Sequence, residues 1–304
     1  MRRGQRGVPA PLPAASALEG ERSLIETPLF AAVQRLACSV RDLPDDSLEE
    51  PFTWRGQSRE IDVRWALFSV YTELCDLAAA LAAERGSAGH GVGVAQRALA
   101  QSHLAYRDLQ GLLLAADGLD LDRPPAEGQW PLRTILGHML RTEAIFMATL
   151  QWAIDRARSR DDRPLKFPDE LEMQIRRADL SGDLDAILAR FDAAHAEAAA
   201  RFVDLQPSDL AAPFVWWFSD TVRFQLLRFD AHLREHTIQI AKLLEALLPP
   251  PSDALRTLRL IYAALADAEG WLIGAPALGG AQIGATAARI NAAADAFASV
   301  PRNA

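Results

Sequence analysis

Nearly every long segment of this chain spaces its apolar residues three and four positions apart, a period that commits it to packed helices rather than to sheet. Thr27 is suited to cap a first helix with Pro28 at its first position, and Leu29, Phe30, Val33, Leu36, Ala37 and Val40 then share one face. Val63, Leu67, Val70, Leu74, Leu77 and Leu81 mark a second helix that stops near Arg85-Gly86. After the glycine-rich stretch Gly86-Ser87-Ala88-Gly89-His90-Gly91, the period predicts helices over roughly 94–116, 131–157, 183–204 and 220–247. Four helices after a linker predict a bundle. The charged, proline-containing connection over 158–182 is long enough to cross it. Pro249-Pro250-Pro251 breaks the pattern, and helical stretches over about 252–273 and 281–298 follow. The expected fold is therefore all-α, a four-helix bundle with an additional N-terminal helical hairpin and two C-terminal helices. The expected divisions are a disordered head (1–22), a degenerate helical hairpin (23–90), the bundle (94–248) and a C-terminal helical extension (252–304).

Half of the 304 residues are apolar and 24% are charged, the composition of a soluble, alanine-rich helical protein with one or two cores. A net charge of -8 and the lack of a basic stripe with interleaved aromatics argue against a nucleic-acid partner. Cys38 and Cys75 lie in separate helical runs without a C-x-x-C spacing and read as small core residues. Arg2, Arg3 and Arg6 precede a proline- and alanine-rich stretch, with no apolar run of signal-peptide length after them. No uninterrupted apolar segment reaches the roughly eighteen residues of a membrane span, so no membrane partner and a cytoplasmic location are expected.

His232 and His236, in Arg228-Phe229-Asp230-Ala231-His232-Leu233-Arg234-Glu235-His236, stand one helical turn apart and project side by side. Two imidazoles so placed can share one metal. His138 is the third candidate, in Trp130-Pro131-Leu132-Arg133-Thr134-Ile135-Leu136-Gly137-His138. Three nitrogens and a vacant coordination position make a reactive centre rather than a closed structural one. Glu143 follows His138 by five positions, about 140° around the helix, which suits a surface or supporting group better than a ligand. Gln239 lies one turn below His236 and could orient it. His103 and His195 sit on apolar stripes, where a core histidine bonded to a neighbour is the commoner outcome, whereas His90 belongs to the glycine-rich loop.

An internal repeat appears at an offset of 162, where Asp42-Leu43, Leu48, Pro51-Phe52 and Trp54 match Asp204-Leu205, Leu210, Pro213-Phe214 and Trp216. After a three-residue shift, Val63-Arg64 matches Val222-Arg223, and Glu73 and Leu77 then stand where His232 and His236 stand. The early copy keeps the scaffold without the imidazoles, as expected of a packing or interface element. The aromatic run Phe214-Val215-Trp216-Trp217-Phe218 is suited to close the core or wall a pocket.

The helix opening Gly128-Gln129-Trp130-Pro131-Leu132-Arg133 with His138 inside it, followed by Arg228 through His236 and Gln239, resembles the DinB superfamily over roughly residues 94–248. That resemblance implies a metal-binding bundle of DinB type with ligands at His138, His232 and His236. It also implies relatives that act as thiol-dependent S-transferases or isomerases. The resulting expectation is a divalent metal, zinc or nickel, and a metal-dependent S-transferase joining a low-molecular-weight thiol to an electrophilic small molecule. A non-catalytic metal-binding or stress-associated helical protein, its extra hairpins forming a homodimer interface, is the alternative. His232-Leu233-Arg234-Glu235-His236 also spells the H-x-x-E-H of zinc peptidases, with Glu235 as general base, but no alternating strand accompanies it. A di-iron bundle would need two E-x-x-H pairs, and the sequence has none.

Overall fold

The computed structural model describes residues 27–54, 61–161, 181–215 and 219–302. The expected head, most of the 158–182 connection, and Trp216, Trp217 and Phe218 lie outside them. In chain order the elements are α1 (Pro28–Val40), a 3-10 turn (Asp45–Glu49), β1 (Pro51–Phe52), β2 (Ile61–Asp62), α2 (Val63–Ser87), α3 (Val94–Leu113), α4 (Leu132–Ser159) and α5 (Leu184–Phe202). They continue with α6 (Pro207–Leu210), β3 (Pro213–Val215), β4 (Ser219–Thr221), α7 (Val222–Leu247), α8 (Asp253–Gly270) and α9 (Gly280–Phe297). The fold is all-α, and strand among the described residues is confined to two small antiparallel hairpins. Strands of two and three residues are too short to carry an alternating pattern, so the sequence period did not reveal them.

Local signals set where the helices begin. Thr27 accepts from the Phe30 N–H at the head of α1, and Asp62, Asp183, Thr221 and Ser252 do the same for α2, α5, α7 and α8. Each such cap satisfies a donor that the helix itself leaves free and is worth about 1 kcal/mol. Gly279 starts α9 at φ +64°, where a Cβ would lie 2.2 Å from Leu81 Cδ2, so both the turn and the close approach require glycine.

The helices pack as two groups. α1 lies along α9 and α2 along α8, and all four share one core with Phe52 and Trp54 from the first hairpin. Phe52 stacks on Phe297, with ring centroids 4.9 Å apart. By length and hydropathy α2 is apolar enough to cross a bilayer, yet its stripe of Val63, Leu67, Val70, Leu74, Leu77 and Leu81 is buried in this core. The second group is α3, α4, α5 and α7. α3 and α8 join the two groups, meeting so closely at Gly111 that a Cβ there would lie 3.1 Å from Arg259 Cα. Arg85, fully buried, clasps the same junction by donating to the Trp271 and Ile273 carbonyls at 2.7 and 2.8 Å and to Gln96 Oε1 at 3.0 Å.

The repeat in the sequence is a repeat in structure. In each copy a short helical turn leads to a hairpin and then a long helix, and the registers correspond: Pro51 pairs with Asp62 as Pro213 pairs with Thr221. Phe52 and Phe214 are both buried.

The α3–α4–α5–α7 bundle holds two apolar clusters. One contains Leu109, Leu136, Phe191 and Ile240, and the other Leu99, Leu150, Phe202 and Phe229. Along each helix a polar side chain falls between the residues of the two clusters: His103 on α3, Glu143 on α4, His195 on α5 and His232 on α7, all buried. His232 places one of the metal-ligand candidates in this polar layer, and His138 and His236 adjoin it from within the first cluster.

Candidate metal centre

α4 supplies His138 and α7 supplies His232 and His236, on faces that the two helices turn toward each other. His232 Nε2 lies 3.3 Å from His138 Nε2 and 3.1 Å from His236 Nε2. The three ring nitrogens form a group in which every pair is within 4.8 Å. Two nitrogens each about 2.05 Å from a tetrahedral ion are about 3.3 Å apart, so the cluster has the dimensions of a ligand edge. Without a shared proton or cation, lone pairs this close repel.

Tautomers support the same use. Gln239 Oε1 lies 2.8 Å from His236 Nδ1 and can only accept there, which places the His236 proton on Nδ1 and leaves Nε2 as a donor of its lone pair. Burial, with the neighbouring imidazoles and Arg228, pulls His232 down to about 3, and burial, His236 and Arg141 also lower His138. Both rings are thus neutral at ordinary pH, the state that ligates. Phe146, itself buried, packs on His232 with ring centroids 5.6 Å apart, while half-exposed Trp130 stands 5.5 Å from the His138 ring.

The remaining candidates fall elsewhere. Glu235 is exposed and outside the cluster, and its charge only partly offsets the downward pull on His138. His90 is exposed. Glu143 is not at the surface: it is 5% exposed, because the facing α5 covers it inside the bundle, with Oε1 3.8 Å from His195 Nδ1. His103 and His195 are not among the clustered nitrogens. They bond to each other, His103 Nδ1 to His195 Nε2 at 3.2 Å.

That pair belongs to a polar seam between the two helix groups, which the sequence did not announce. Glu269 on α8 is fully buried and accepts from Thr27 Oγ1 at 2.7 Å, from Arg107 Nε at 2.9 Å and from His103 Nε2 at 2.8 Å. Burial opposes its charge, but Arg107 and His103 outweigh that and hold the carboxyl below its usual range. Burial also brings His103 down to about 4. With the His103 proton on Nε2 facing Glu269, its Nδ1 must accept, so His195 donates from Nε2. Arg107 lies over the Phe30 ring at 3.6 Å, and Tyr106 donates to Asp192 at 2.5 Å. A charged residue on an apolar stripe, Glu269 beside Leu265 and Ala268, was the available signal.

The DinB superfamily model matches residues 101–240, a span that contains all three clustered histidines. No curated protein and no solved structure matches the chain.

Proposed function

Because residues 101–240 of this chain belong to the DinB superfamily, we propose that the protein is a metal-dependent S-transferase that activates a low-molecular-weight thiol at His138, His232 and His236. The observation that carries this reading is the convergence of three Nε2 atoms at 3.1 and 3.3 Å spacings. An ion bound there supplies the positive charge that turns a thiol into a thiolate, or water into hydroxide, near neutral pH. Zinc and nickel both suit three imidazoles.

The chain's own residues perform the rest. Gln239 fixes the His236 tautomer by accepting from Nδ1, and the bundle positions His138 against the helix that carries the other two. Phe146 packs on His232, and Trp130 offers an apolar wall where an electrophile would approach.

Elemental analysis of purified protein is expected to find about one divalent ion per chain. His138→Ala, His232→Ala and His236→Ala combined should abolish both that content and thiol consumption with a model electrophile. Full metal occupancy in the triple variant, or thiol consumption that survives it, rules the reading out.

A further inference from the structure

The two helix groups correspond element by element. At the offset of 159 that relates α2 to α7, Leu99, Ala105, Asp108 and Gly111 of α3 recur as Leu258, Ala264, Asp267 and Gly270 of α8. At 162, the buried Val33, Ala37 and Val40 of α1 fall on the buried His195, Ala199 and Phe202 of α5. α9 follows α8 as α4 follows α3, and at 151 its buried Ala287, Ile290 and Phe297 fall on Leu136, Met139 and Phe146, buried as well. The packing repeats with the elements: α3 lies on α7 and α4 on α5, as α8 lies on α2 and α9 on α1.

The joint between the groups has the same symmetry. A Cβ at Gly111 would lie 3.1 Å from Arg259 Cα, and one at Gly270 would lie 3.4 Å from Ala100 Cβ. Ala100 and Arg259 are themselves counterparts at 159, so each close approach has a mate with the partners exchanged, as a two-fold axis requires. The first group is therefore the metal-centre bundle over again, begun by α8 and α9 and completed by α1 and α2.

We infer that this second bundle holds a dormant metal site, in which Arg289, Glu73 and Leu77 occupy the positions of His138, His232 and His236. The contact across the two helices is kept while its chemistry is changed. Arg289 Nε donates to Glu73 Oε2 at 3.1 Å, where His138 Nε2 and His232 Nε2 stand 3.3 Å apart, and the same guanidinium donates to buried Thr286 Oγ1 at 2.9 Å. Three converging imidazole lone pairs call for a cation from outside. Arg289 brings the positive charge itself and Glu73 the carboxylate that answers it, so this position is satisfied without an ion. Leu77, 3% exposed, replaces the remaining ligand with packing. The class of ion the site would take, a divalent metal on three imidazoles, rests on the metal-centre reading above.

Exchanging the two sites tests it, with nickel(II) as the probe and the full chain throughout. Arg289→His, Glu73→His and Leu77→His together should raise the nickel content from about one ion per chain to about two, read by elemental analysis after dialysis. The reverse exchange, His138→Arg with His232→Glu and His236→Leu, should bind no nickel and unfold in urea at or above the midpoint of the metal-free parent. His138→Arg alone should unfold earlier than that exchange, because its guanidinium meets no carboxylate. A folded forward variant that gains no second ion overturns the inference. So does a reverse variant that unfolds below the metal-free parent, and this arm decides the matter where the forward variant does not fold. A parent that takes up no nickel overturns the metal centre, and the dormant site with it.

Discussion

The two copies of the hairpin-and-helix unit share caps, register and a buried phenylalanine, but they face different partners. In the later copy His232 and His236 turn toward His138. In the early copy the matching positions are Glu73 and Leu77: Glu73 meets Arg289 of α9 at 3.1 Å, and Leu77 is 3% exposed in the core. One scaffold therefore serves either a polar centre or plain packing, and the helix that faces it, together with the side chains at two positions one turn apart, decides which. The outward faces also match, since Trp65 and Phe68 stand exposed in one copy as Phe224 and Leu227 do in the other.

The strongest way to break this comparison is to move the site. Glu73→His with Leu77→His should leave the metal content at the parent's value, because Arg289 rather than a histidine faces that position. It should also cost about 2–5 kcal/mol of stability, since an imidazole then replaces a buried leucine. A second bound ion per chain, read by elemental analysis, would refute the account.

The polar pairs of the two helix groups differ in the same direction. Glu269→Ala leaves Arg107 and His103 buried without their acceptor and should destabilise by about 3–5 kcal/mol in chemical denaturation. Glu73→Ala, which breaks a pair whose arginine is 47% exposed, should cost at most about 1 kcal/mol. Equal losses would show that the seam is not the joint between the groups.

Acid sharpens the contrast. The folded state holds His103 at about 4, below its ordinary 6.5. Between those values the unfolded chain binds a proton that the folded one refuses, so stability falls as pH drops through that window, by about 3 kcal/mol in all. Glu269, held below its ordinary 4.5, adds a further loss as pH falls below that value. Urea midpoints of metal-free protein at several pH values should show the slope, and His103→Asn should flatten it relative to the parent. An unchanged slope in that variant would assign the acid sensitivity elsewhere.

The smallest effect expected is at Glu235. Exposed and outside the cluster, it should tolerate glutamine with metal content and thiol transfer within a few-fold of the parent. A peptidase using it as general base would lose on the order of a hundredfold in peptide hydrolysis.

Much of this was legible in the sequence. The 3.6-residue period located the long helices, Thr27 and Pro28 marked the start of α1, and the spacing of His232 and His236 put two imidazoles on one face because neighbours on a helix are four residues apart. The repeat showed which copy lacked the imidazoles. Tertiary structure alone decided what each apolar face packs against. Periodicity says that Leu77 and Ile290 are buried, but not that α2, α9, α1 and α8 share one core, since a helix face is chemically similar whichever partner covers it. For the same reason the joining of Glu269 to Thr27, 242 residues earlier, and to His103 could not be read from local pattern. Those contacts exist because burial left each group one place to find a partner, and only the packed chain determines which groups are buried together.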